Sequence, residues 1–177
     1  MSATTGPEAF ELTPEQQIQL LTDRADISDL VHRYATGLDT RNWALLRSIF
    51  TEEIDVDMSS IHMRPAHLTA DAWVESARVL FAGFDATQHL SANHVHEIRG
   101  DEATCTSYMR AEHFVINNEG ENYYTMGGYY VDQLVRTAEG WKISAVNLNV
   151  TWNRGNRNVL NLAARRGRER LGLPRAR

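Results

Sequence analysis

The hydrophobic pattern changes period once along the chain. Up to about residue 84 the apolar positions recur every three or four residues, and from Thr87 onward they tend to alternate. Thr13-Pro14-Glu15-Gln16 reads as a helix start, with threonine at the N-cap, proline at the first helical position and glutamine completing a capping box. Ile27, Leu30, Val31, Tyr34, Ala35 and Leu38 then share one face of an amphipathic helix ending near Arg41. A short second helix buries Trp43, Leu46, Ile49 and Phe50, and Ile54-Asp-Val-Asp-Met58 alternates as a strand does. The segment Ser59 to Leu68 has little period and contains Pro65, which predicts a loop. Thr69 caps a third helix with a single stripe of Trp73, Val74, Ala77, Leu80, Phe81 and Phe84.

Four extended segments follow, at about 87–98, 103–117, 122–137 and 141–152. They are broken at Gly100-Asp101, Asn117-Asn118-Glu119-Gly120 and Ala138-Glu139-Gly140. Helices first and a strand meander last predict an α+β fold, with helices packed on one face of a curved antiparallel sheet.

Composition narrows the class. The chain has 177 residues, 42% hydrophobic and 23% charged, which fits one globular domain able to close a core around a pocket. No apolar run is long enough to span a membrane, and Met1 to Phe10 lacks the basic start and apolar stretch of a secretory leader. The single Cys105 has no internal disulfide partner, so a cytoplasmic protein is expected. Residues 1–12 read as a frayed N-terminus, 13–153 as the domain and 154–177 as a basic, partly helical extension. In that extension eight arginines against Glu169 give +7, so the body carries −12 of the net −5. The extension lacks the interleaved aromatics that stack on bases. It reads as an assembly or pocket-covering element, with no nucleic-acid partner.

The chain contains no internal repeat, phosphate loop, Cys/His zinc spacing or nucleophile elbow, so chemistry rests on single polar residues on the concave face of the sheet. If the hairpin loop is Gly100 to Glu102, His89 lies directly opposite His113, with Cβ atoms about 5 Å apart; a two-residue loop shifts the register by one. The set Cys105, Ser107, Met109, Ala111, His113 and Val115 is small or apolar, whereas the alternate set Thr106, Tyr108, Arg110, Glu112 and Phe114 contains the charges, so His113 and its partner His89 point inward. By parity His94 and His96 share the opposite face, solvated or against another subunit, which leaves too few inward ligands for a metal. Asp39, one turn beyond Ala35, flanks the buried stripe at a helix C-terminus where the macrodipole disfavours an acid, so a compensating partner is expected.

Tyr34-Ala-Thr-Gly-Leu-Asp39-Thr-Arg-Asn-Trp43, Thr87-Gln-His89, Met109-Arg-Ala-Glu-His113 and Glu139-Gly-Trp141-Lys-Ile143 stand in the order and spacing of a known group. Over about residues 17–153 the chain resembles the nuclear transport factor 2-like, or SnoaL-like, superfamily of cone-shaped domains, most of all scytalone dehydratase, bile acid 7α-dehydratase and hexachlorocyclohexane dehydrochlorinase. The resemblance implies that Asp39 orients His89 as general base on an acidic C–H, with Tyr34 and His113 as hydrogen-bond donors or acids, and that no cofactor or metal is needed. It implies a small apolar, aromatic or polycyclic substrate and a homo-oligomer, dimer or trimer, that covers the outer sheet face. Tyr34 and Val146 stand where the dehydrochlorinase has cationic residues, which argues against halide expulsion. Val56 stands where scytalone dehydratase has a second pocket tyrosine, and Tyr129 and Val131 stand near its Ser and Asn. With Met109 and Asn147 these are the expected substrate-binding positions, while Met58 and Met63 read as ordinary walls. The expected activity is a dehydratase-type lyase. The alternatives are a polyketide cyclase or ketosteroid-type isomerase with the same pair, and a non-catalytic module such as a ring-hydroxylating dioxygenase small subunit.

Overall fold

The computed structural model describes residues 12–174. Helix α1 (Pro14–Thr40) starts with the capping box in place: the Thr13 N–H donates to Gln16 Oε1 (2.9 Å) and the Gln16 N–H to Thr13 Oγ1 (3.3 Å). It ends where Arg41 turns left-handed at φ 58° and its guanidinium donates to the Leu38 and Asp39 carbonyls (2.6 and 3.0 Å), which satisfies acceptors that the helix end leaves open. The short α2 (Trp43–Ser48) is capped by Asn42 and leads into β1 (Phe50–Asp57).

The stretch predicted as a loop over 59–68 instead holds a 3-10 turn at Ser59–Ile61 and the start of β2 (Ala66–Thr69), which pairs with β1 from Val56↔Ala66 to Glu53↔Thr69. Four residues are too few to display a period, so only the pairing reveals the strand. Thr69 caps α3 (Ala70–Phe81), followed by β3 (Ala86–Arg99), β4 (Glu102–Phe114), β5 (Tyr123–Thr137), β6 (Gly140–Gly155) and α4 (Asn158–Arg170).

The fold is α+β, with one sheet of order β2-β1-β6-β5-β4-β3. It is mixed rather than wholly antiparallel: β1 enters from the helices running in the same direction as β6 and pairs with it in parallel. The curved sheet does not close, and its concave face holds the core against α1, α3 and α4. The N-terminal segment expected to fray lies, except for Leu12, outside the described residues. The basic extension joins the core: Val159, Leu162 and Ala163 of α4 are buried, and Gly83 and Gly167 let α3 and α4 approach backbone to backbone. A Cβ at Gly167 would sit 1.8 Å from the Val79 carbonyl oxygen.

The β3–β4 hairpin corrects the expected register. Its loop is the two residues Gly100-Asp101, closed by Arg99↔Glu102, and a bulge between Ala92 and Val95 carries Asn93 at φ 52°. Loop and bulge together move the pairing by two residues, so His89 opposes Ala111, and His113 opposes Thr87. An even displacement keeps both histidines on the inner face. The same bulge reverses parity beyond it, so His94 and His96 turn inward against α1 rather than outward. His94 Nδ1 and His96 Nε2 both meet Ser28 Oγ, at 3.0 and 2.9 Å.

Candidate active site

A cavity of about 740 Å³ opens between the concave sheet, α1, α3 and the start of α4. Its walls are mainly apolar, with Leu38, Met58, Ile61, Leu80, Phe81 and Leu148 among them. Polar side chains enter it from several elements, among them Tyr34 from α1, His89 from β3, His113 from β4 and Tyr130 from β5.

The C-terminus of α1 brings Asp39 against β3. One carboxylate oxygen accepts from His89 Nδ1 (2.7 Å) and from the Thr87 hydroxyl (2.9 Å), and the other accepts the His89 backbone N–H (2.6 Å). The Thr87 hydroxyl is itself held by Arg41 Nη1 at 2.8 Å. These donors are the compensating partners that an acid at a helix C-terminus requires. Burial pushes the Asp39 carboxyl up, and the bonds from His89 and Thr87 outweigh it, leaving the group below its ordinary value and ionised. An ionised acceptor on Nδ1 fixes the proton there, so Nε2 of the neutral ring carries the lone pair. The ring is pinned from a second side by Phe81, centroid to centroid 5.7 Å.

His113 crosses His89 edge to face at 5.5 Å and packs on Phe84 at 5.0 Å. Its Nδ1 donates to the Tyr124 carbonyl (3.3 Å), again leaving Nε2 as an acceptor. Burial, then the neighbouring His89, lowers its pKa to about 4, so it stays neutral at physiological pH. Neutral and bonded in this way, His113 accepts hydrogen bonds from a ligand rather than donating them.

The donors lie on the other wall. Tyr34 and Tyr130 meet edge to face at 5.7 Å between ring centroids. Burial raises both phenols well above the ordinary tyrosine value, so both keep their protons and have an O–H to give. Behind them Asp132 is buried and one of its oxygens has no hydrogen-bond partner among the described residues; burial raises its pKa to about 8. Ser107, directly across from Tyr130, also has a buried unpartnered hydroxyl.

Val56, Tyr129, Val131, Asn147 and Met109 do not line this cavity. In β5 the even-numbered residues face inward, so Tyr130 reaches the cavity and Asp132 lies in the core behind it, while Tyr129 and Val131 turn away. Val56, Val131 and Asn147 border a separate cleft of about 440 Å³ beside β1 and β2, and Met109 is buried in the core. Tyr130 is the pocket residue that sequence reasoning missed, although alternation from Met126 carried the signal. Among the described residues no group of three or more His, Cys, Asp or Glu is arranged to hold a metal ion, and no helix is long and apolar enough to cross a membrane.

The model of the SnoaL-like domain matches residues 19–147. The chain belongs to the SnoaL-like family. This SnoaL-like protein is 26% identical over 140 residues to terrestric acid biosynthesis cluster protein E of Penicillium crustosum, covering 76% of the chain and 87% of that relative. The crystal structure of Kfla4162 from Kribbella flavida superposes with a TM-score of 0.75 at 32% identity, over 81% of this chain and 98% of that one. A scytalone dehydratase-like protein of Novosphingobium aromaticivorans DSM 12444 shares the fold, with a TM-score of 0.69 at 20% identity, over 80% and 92% of the two chains.

Proposed function

We propose that this SnoaL-like protein is a dehydratase-type lyase that works with acid–base side chains alone on a small, largely apolar bicyclic or polycyclic substrate. The observation that carries the reading is the 2.7 Å contact between Asp39 and His89 Nδ1 at the wall of an apolar cavity. His89 Nε2 takes a proton from carbon next to a carbonyl. The enolate oxygen receives a hydrogen bond from a protonated phenol of the Tyr34–Tyr130 pair. His113 Nε2 accepts the O–H of the departing hydroxyl, and the proton on His89 leaves with that hydroxyl as water. Assistance of this kind contributes about 10²- to 10⁴-fold per group. Leu90, Val95 and Tyr108, all more than half exposed on the outer sheet face, support a homo-oligomer, dimer or trimer, that covers them. The Penicillium relative, a biosynthesis cluster protein, favours a second reading in which the same pair drives cyclisation or isomerisation.

A β-hydroxy bicyclic ketone, 3-hydroxy-1-tetralone, tests the first reading, because loss of water yields 1-naphthol, which is followed by its absorbance. The wild type accelerates this elimination, and His89→Ala and Asp39→Asn lower the rate at least 10²-fold while melting within a few degrees of the wild type. A His89→Ala rate equal to that of the wild type overturns it.

A further inference from the structure

The cavity wall is charged in one sense only. Among the described residues no carboxylate lines it, although the body of the chain carries −12, and Arg157 is its one permanently charged residue. The arginines of α4 are engaged elsewhere: Arg166 and Arg170 pair with Asp85 (2.8 and 3.2 Å), Arg165 reaches Glu119 (3.7 Å), and Arg168 donates to the Pro174 carbonyl (2.6 Å). Arg157 makes no ion pair among the described residues; its guanidinium touches only the Ile61 carbonyl, at 3.3 Å. Glu119, which bonds the Asn158 side chain at this rim, is also paired with Arg165. A second donor without a partner lies in the same wall: the indole N–H of Trp73, a residue 8% exposed.

We infer that the ligand of this pocket is an anionic amphiphile, an apolar ring body with a carboxylate seated on Arg157. His89 stands on β3 and Arg157 follows β6, three strands away, which is roughly 14 Å of sheet at the ordinary strand spacing. Two fused rings and a short acid side chain fill that span. An unpaired guanidinium beside a largely apolar cavity is matched by a carboxylate, to which its planar fork binds bidentately. The inference deepens the proposed function by naming the charge of its substrate. It shares that reading's pocket and is independent of its chemistry.

The test is binding, measured by calorimetry on the full chain with 2-naphthylacetate and its neutral isostere 2-naphthylacetamide. The wild type prefers the carboxylate by about tenfold, and the preference shrinks as salt rises. Arg157→Met abolishes the preference and leaves amide binding unchanged, whereas Arg157→Lys keeps part of it. His89→Ala retains the full preference, so a failure of the lyase reading leaves this one standing. Equal affinity for the two probes, no binding of the carboxylate, or a preference that survives Arg157→Met would each overturn the inference.

Discussion

Asp39 occupies a place where an isolated carboxylate is unfavourable, half-buried at the negative end of a 27-residue helix. Three donors make it tolerable, and two of them belong to His89, so the carboxylate and the imidazole hold each other in place. Asp132 has no such compensation. Its pKa is raised from 3.8 to about 8, so the folded state holds a proton that the unfolded chain releases. Its contribution to stability is therefore full below about pH 4 and falls as pH rises toward 8. Asp132→Asn should flatten that decline and raise unfolding free energy at pH 8 by about 1 to 3 kcal/mol, less than full linkage because the amide is also left unpaired. Urea unfolding at pH 5 and pH 8 checks it; equal pH slopes in variant and wild type would contradict the charge assignment. At this scale the sequence was readable where a residue's oddity was local. Asp39 at a helix end announces a missing partner, whereas Asp132 is abnormal only because of what surrounds it.

At the scale of elements, α1, α3 and the four long strands are legible because each repeats its period over many residues. The β3–β4 hairpin shows what is not legible. Nothing in Ala92-Asn93-His94 distinguishes a bulge from continued alternation, yet that one inserted residue turns His94 and His96 toward Ser28. His89 and His113 kept their face because loop and bulge together amount to an even displacement. Helix α4 reads as an extension because its arginines dominate its composition, whereas Val159, Leu162 and Ala163 decide its place. Its seat on α3 depends on Gly83 and Gly167. Gly167→Ala should cost about 1 to 3 kcal/mol, since the new methyl group meets the Val79 carbonyl and the helices must part. Thermal unfolding reads the loss; a Tm unchanged from wild type would mean that the two helices are not so closely packed.

Across the whole molecule, an unclosed sheet and three helices enclose one large apolar cavity, with a lone-pair nitrogen on one wall and protonated phenols on another. This cone follows from helices preceding a meander, an order visible in the sequence. The residues that aim into it depend on strand parity, and for that reason Tyr130 rather than Tyr129 faces the phenol of Tyr34. Proton abstraction by His89 is the central claim, and it can be measured without knowing the natural substrate. The most direct measurement is incorporation of solvent deuterium at C2 of 1-tetralone, a bicyclic ketone with nothing to eliminate, followed by NMR. The account predicts exchange above background with the wild type, a fall to background with His89→Ala and a loss of at least about 10²-fold with Asp39→Asn. Exchange at the wild-type rate in His89→Ala, or none above background in the wild type, would contradict it.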